Sequence, residues 1–323
     1  MKLAVLSAPQ RIELVEEPVP EPAAGEVLLR VAASGVCASE LDMWEGRADV
    51  DYPRFPGHEV SGTVERAGAG ADHLRPGDRV AAWVPARGFA EYVVARAEHC
   101  FPAGSVPLDV ALAEPLGCAV NAVELAAPAL GDDVVIVGAG FMGNLVQQLV
   151  QLKGPREVIV ADTRPDALAL AARLGATRTV DVRGESLADA VWEATGGAGA
   201  DVSFEVTGTQ SGLSSLADAT RMSGKVAIVG FHQGGTRELP LGAWNWMAFE
   251  VVNAHFREMA TIVRGMRAGM RLLISGRLSL AELVTHRFGL EDVNAAFATA
   301  VEKPPGFVKA VVTAPGNPSR MEA

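Results

Sequence analysis

The sequence predicts an α/β protein of two domains, a β-rich domain followed by a doubly wound parallel sheet. Three observations predict it. The chain has 323 residues, which at about 150 residues per domain suggests two domains. Its first hundred or so residues are short runs rich in Val, Leu and aromatics, broken by Gly and Pro clusters. From about Asp132 the pattern changes to apolar runs alternating with helical stretches, as a parallel sheet with crossover helices requires.

In the N-terminal part, residues 2–7, 26–33, 60–67, 79–84 and 89–94 read as strands. Turn clusters such as Glu21-Pro22-Ala23-Ala24-Gly25 and Arg75-Pro76-Gly77-Asp78 separate them, and their irregular spacing favours a barrel-like domain. In the second part, residues 133–137 form an unbroken apolar run, as expected of a strand buried on both faces. Strands near 158–161, 178–181, 201–206, 225–229 and 250–254 follow, with helices near 143–152, 165–174, 185–194 and 210–222. The tail mixes helices at 259–274 and 290–301 with a short segment at 280–284 and a strand at 306–312 that is free to rejoin the first domain. The last ten or so residues read as disordered.

Charge and composition exclude several classes. With 28 basic and 39 acidic residues the net charge is −11, and no basic stripe for a phosphate backbone is visible, so no nucleic-acid partner is expected. The richest apolar windows are interrupted by Asp109, Glu114, Asn144 or Gln147, short of the roughly 18 residues of a membrane span. The opening run carries neither a basic leader nor a cleavage pattern. Three cysteines, Cys37, Cys100 and Cys118, are too few for a disulfide framework. A cytoplasmic location is expected.

Gly138-Ala139-Gly140-Phe141-Met142-Gly143 matches G-x-G-x-x-G. Alone the pattern recurs by chance, but here a strand ends at Val137, a helix follows, and Asp162 closes the next strand 19 residues after Gly143. The first glycine permits the turn, the second lets the backbone approach a pyrophosphate, and the third lets helix and strand pack closely. A carboxylate at Asp162 suits ribose hydroxyls and repels a 2′-phosphate, favouring NAD over NADP; Arg164 nearby leaves NADP open.

Three residues of the β-rich part form a second candidate constellation: Cys37, His58 in Gly57-His58-Glu59, and Glu114 in Glu114-Pro115. Singly, each has an ordinary structural explanation. Together, thiolate, imidazole and carboxylate are a zinc ligand set that leaves a fourth position for substrate.

These residues carry a family resemblance. The chain resembles the zinc-dependent medium-chain alcohol dehydrogenases over essentially its full length, in their polyol (sorbitol-dehydrogenase-like) branch. Gly57-His58-Glu59 with Gly62, Cys37-x-Ser39, Glu114-Pro115 and the glycine motif occur in that family's order. Thr285-His286-Arg287-Phe288 and Asn294-Ala295-Ala296-Phe297 resemble its C-terminal segment. The resemblance implies a GroES-like catalytic domain, residues 1–122 and 259–323, and a Rossmann cofactor domain, residues 123–258. It implies one catalytic zinc per chain on Cys37, His58 and Glu114, the last being Glu in the polyol branch, with Glu59 able to approach the metal. Ser39 matches the hydroxyl that accepts the substrate proton. Gly138, Gly140, Phe141, Met142, Gly143, Asp162, Arg164, Thr207, Gly230 and Phe231 match cofactor-contacting positions. Zinc then acts as a Lewis acid on the substrate oxygen while hydride passes to nicotinamide. A homodimer or homotetramer joined through the last strand of the cofactor sheet is also implied.

Departures are as informative. Relatives with a second, structural zinc use four cysteines, and only Cys100 and Cys118 remain here besides Cys37, so that site cannot form. Asp42 stands where a relay histidine is usual, and Glu40 where a shorter Asp is usual, as a prospective partner of His58. Asp42, Trp44, His255 and Arg257 are candidate substrate contacts; Trp44 and the Trp244-Asn245-Trp246-Met247 cluster serve equally well as packing. The expected activity is hydride transfer between a polar secondary alcohol and NAD. The alternatives are a zinc-free quinone or enone reductase on the same scaffold and a cofactor-binding protein without turnover.

Overall fold

The computed structural model describes residues 1–315; the expected disordered end lies almost wholly outside them. Strand β1 (Lys2–Ala8) turns back through Pro9-Gln10 onto β2 (Arg11–Glu16). There follow β3 (Glu26–Gly35), a short helix α1 (Leu41–Glu45), β4 (Glu59–Ala67), β5 (Arg79–Trp83), β6 (Tyr92–Arg96), β7 (Cys100–Pro102) and helix α2 (Ala113–Ala126). Strands β2 and β7 and helices α1 and α2 were not anticipated. Each is short, except α2, whose Pro115 and Gly117 disguise a helical pattern.

Alternation then proceeds as expected through β8 (Asp133–Val137), α3 (Phe141–Gln151), β9 (Glu157–Asp162), α4 (Pro165–Arg173), β10 (Arg178–Asp181), α5 (Leu187–Ala194), β11 (Ala200–Glu205), α6 (Gln210–Ala219) and β12 (Thr220–Ile228), and a short helix outside the expected series, α7 (Leu241–Trp246), precedes β13 (Glu250–Asn253). Several boundaries differ from expectation: the strand expected at 89–94 runs Tyr92–Arg96, the one expected at 225–229 begins at Thr220, and the short segment expected at 280–284 is followed by a strand at Val284–Gly289. The helix expected over 210–222 stops at Ala219, and Thr220 opens β12 with its hydroxyl bonded to Leu216 O and Ser203 Oγ. A buried β-branched residue with strand partners outweighs helical periodicity there. Helix α8 (Met259–Ile274), β14 (Val284–Gly289), α9 (Val293–Glu302) and β15 (Lys309–Thr313) complete the chain.

The contacts divide the chain into two units, Met1–Gly117 with Val263 onward, and Cys118–Ile262. In the first, a sheet runs β14-β15-β3-β4-β5-β7, with β6 pairing β3. The final strand rejoins the N-terminal strands, Val311 opposite Gly35 in antiparallel pairing. One core is Val-rich (Val27, Leu29, Val60, Val64, Val80, Val93); another gathers Trp44, Phe89 and Phe297 under α9. In the second unit a six-stranded sheet has the order β10-β9-β8-β11-β12-β13, every neighbouring pair parallel. The order reverses beside β8, between β9 and β11, the position where such sheets bind ligands at their carboxyl ends. No helix among the described residues is long and apolar enough to cross a membrane.

Candidate active site

The register of β3 and β4 builds the first site. Gly35 pairs with Glu59, so Cys37, just past the end of β3, and His58, just before β4, arrive side by side. The Sγ of Cys37, a ring nitrogen of His58 and a carboxylate oxygen of Glu59 all lie within 4.8 Å of one another. Donors around one zinc ion stand about 3–4 Å apart given metal–ligand bonds of about 2.0–2.3 Å, so the trio needs little closing, and its S, N and O donors suit that metal.

Glu40 orients this group. Its Oε1 accepts from Gly57 N at 2.7 Å and lies 3.1 Å from His58 Nδ1, leaving Nε2 as the nitrogen free to ligate. Burial pushes the His58 imidazolium down, but the charges of Glu40 and Cys37 outweigh it and hold His58 well above its usual range. Metal binding at that nitrogen would therefore release a proton.

Lys309, which the sequence reading did not single out, completes the site. Its Nζ is 2.8 Å from Glu59 Oε1 and 2.7 Å from Oε2, both residues being buried. Burial disfavours the ammonium, yet Glu59, Cys37 and Glu114 together raise its pKa. A Cβ at Gly35 would collide with the Glu59 carboxylate, so glycine there lets the ion pair cross β3. The available signal was a single Lys in the otherwise apolar run Phe307–Val312, since a buried charge demands a partner. Glu114 sits half-buried in the first turn of α2, outside the three-residue cluster but near enough to act on Lys309.

The remaining candidates are distributed as follows. Ser39 Oγ donates to Cys37 Sγ at 3.2 Å. Asp42 is gripped by Arg47, whose Nε stands 3.1 Å away, while Arg47 Nη1 reaches Glu45. Trp44 is 6% exposed, packs on Phe297 and approaches Asn294 Oδ1 at 3.4 Å. Asn294 in turn brackets the backbone N–H and C=O of Ile12. Trp244 is buried and Trp246 exposed.

In the second unit the glycine loop leaves β8 at Gly138 (φ +110°) and enters α3 at Gly140. A Cβ on Gly143 would collide with Gly138 O, whereas one on Gly140 would meet nothing within 4 Å. The loop is thus pressed against its own strand at one glycine and open at another, the shape a pyrophosphate cradle needs. Asp162 Oδ2 accepts from Ala139 N at 2.7 Å and Oδ1 from Arg164 N at 2.9 Å, with the Arg164 guanidinium 3.7 Å off. Thr207, Gly230 and Phe231 follow β11 and β12 at the same edge of the sheet. The His255 ring lies 3.2 Å from Gly230 O and against Phe231, and Arg257 Nη1 donates to Phe256 O at 3.2 Å.

The chain is similar to known proteins along most of its length. Residues 23–107 match the alcohol dehydrogenase GroES-like domain, and residues 142–265 match the zinc-binding dehydrogenase domain. The sorbitol dehydrogenase of Gallus gallus is 31% identical, over 89% of this chain and 90% of its own. An L-threonine 3-dehydrogenase of Ruegeria pomeroyi is 29% identical, over 92% and 96%. Among solved structures, galactitol-1-phosphate dehydrogenase from Escherichia coli superposes with a TM-score of 0.86 at 25% identity, covering 97% of this chain and 100% of that one.

Proposed function

Because the chain belongs to the zinc-dependent medium-chain alcohol dehydrogenase family, we propose that Cys37, His58 and Glu114, with Glu59 in reserve, hold its catalytic zinc and that the 138–143 loop with Asp162 holds NAD. The reaction interconverts an alcohol and its ketone or aldehyde. The convergence of the Cys37 thiol, the His58 imidazole and the Glu59 carboxylate within 4.8 Å carries this reading and argues against a zinc-free reductase, while Glu114, outside that trio, is assigned as the third ligand on the family resemblance alone. When bound, zinc supplies the Lewis acidity that lowers the pKa of a substrate hydroxyl, and nicotinamide supplies the hydride acceptor.

The chain's own residues do the rest. Cys37 and His58 present their donors from adjoining strand ends, and Glu40 keeps the imidazole turned. Lys309 neutralises Glu59 while holding its carboxylate beside the cluster. Ser39 Oγ, next to Cys37, takes the substrate proton and hands it toward solvent. The Asp42 carboxylate is already engaged by Arg47, so it does not stand in for the relay histidine that the resemblance leads one to expect at its position. Asp162, held by Ala139 and Arg164, supports NAD rather than NADP.

The substrate is a polar secondary alcohol, a reading supported by relatives named for sorbitol and L-threonine. The chain works in the cytoplasm, a reading supported by its three cysteines, too few for a disulfide framework. It assembles through β13, the sheet-edge strand on which Val251 is 46% exposed, into a homodimer or homotetramer.

Metal analysis together with a panel of polyols, cyclitols, amino alcohols and simple alcohols, run with NAD and NADP in parallel, tests the reading. One zinc per chain with NAD-linked oxidation of a polar alcohol is expected. Zinc-free protein that reduces quinones or enones would overturn it.

A further inference from the structure

Glu205 ends β11 fully buried, a carboxylate with no exposed surface in the interior of the second unit. Its Oε1 accepts from Thr207 N at 2.7 Å, from Gly208 N at 2.9 Å and from the Thr207 hydroxyl. Its Oε2 lies 2.9 Å from His232 Nε2, and Arg237 Nε lies 3.1 Å from the other ring nitrogen of His232. A guanidinium has only donors. Arg237 must therefore donate to Nδ1, Nδ1 carries no proton, and the ring proton sits on Nε2 facing Glu205. A neutral imidazole thus links a buried anion to a cation. Arg237 Nη2 also donates to Gln233 O at 2.8 Å and Gly208 O at 3.3 Å.

The glycines around this chain of bonds point the same way by a separate route. A Cβ on Gly212 would stand 2.8 Å from Glu205 Oε1, and one on Gly230 would collide with Oε2. The Thr207 methyl fills the space 2.9 Å from where a Cβ of Gly138, the first glycine of the pyrophosphate loop, would be. The backbone after β8, β11 and β12, three adjacent strands, is therefore clamped around one carboxylate.

We propose that Glu205, His232 and Arg237 are positioning residues that lock the loops after β8, β11 and β12 into a single preformed dinucleotide cradle, and so set NAD affinity. The proposal rests on the cofactor reading given above. The three residues act through Thr207 and Gly230, which the cofactor reading places against the dinucleotide, and through Gly208 beside Thr207. Preorganisation lowers the cost of ordering loops on binding, so its loss appears in affinity and not in the chemical step.

The test measures NADH binding by fluorescence, KM for NAD, kcat and zinc content for the wild-type protein and for His232→Leu, His232→Gln and Arg237→Met. A Gln amide accepts at one atom and donates at the other, as the neutral imidazole does. The expected result is a roughly ten-fold rise in Kd and KM for His232→Leu with kcat within about two-fold and zinc unchanged, and recovery to within about two-fold of wild type in His232→Gln. Arg237→Met, at a partly exposed position, is expected to weaken binding about three-fold and serves if His232→Leu does not fold. Wild-type affinity in His232→Leu, or equal weakening in the Leu and Gln variants, would overturn the network. A wild-type protein that binds no dinucleotide would instead refute the cofactor reading, and the proposal with it.

Discussion

The two sites are built in opposite ways. The glycine loop is contiguous: six residues, 138–143, make the turn, the open cradle and the helix start. The thiol–imidazole–carboxylate cluster is assembled from the ends of β3, β4 and β15, with Lys309 lying 272 residues beyond Cys37. A contiguous site depends on local backbone geometry. A dispersed one depends on strand register, and it concentrates buried charge that each partner must balance. Substitutions in the two regions should therefore fail differently, one losing the cofactor and the other losing metal or the fold.

The sharpest separation comes from Cys37→Ser. Turnover is expected to fall at least about a thousand-fold with loss of zinc, while NADH still binds as in the wild type; residual zinc with full activity would dissolve the contrast. Next in size is Lys309→Met, which strands Glu59 as an uncompensated buried charge. Denaturant titration should show a loss of about 3–5 kcal/mol, most of it recovered when Glu59→Gln is added. If the double variant is no more stable than the single, the ion pair is not what ties β15 to β4.

Gly143→Ala is the mirror experiment in the other region. The added methyl collides with Gly138 O, and NADH affinity should fall about ten-fold, in line with a roughly 1–3 kcal/mol overpacking cost. Zinc content should not change. The smallest effect concerns Cys100, which burial pushes from an ordinary 9.0 up to about 12. Its thiol should resist alkylation at pH 8 in the folded protein, by peptide mapping. The sign for stability follows: between about pH 9 and 12 the unfolded chain gives up this proton and the native one keeps it. Stability should therefore decline as pH rises through that window.

Legibility followed the same division. Strand β8 and helix α8 stand where residue patterns put them, because an apolar run buried on both faces and a long amphipathic stretch carry their own signals. The end of α6 was misplaced, since the partners that make Thr220 a strand residue come from Ser203 on β11. Cys37, His58 and Glu59 were recognisable as residue types. That Glu59 would pair with Lys309, or that Asp42 would be occupied by Arg47, was not. The Glu205–His232–Arg237 chain was equally hidden, its members lying at the end of β11 and on the segment after β12.

The sequence by itself determined the α/β class, the dinucleotide fingerprint, the zinc-type donors and the family, because each is written in local periodicity, spacing or residue chemistry. Only the tertiary structure decided which carboxylates are paired, which ring nitrogen of His58 is left to ligate, and how three loops share one buried anion. Those outcomes depend on strand register and on the balance of buried charges between distant segments, and no stretch of chain carries that information alone.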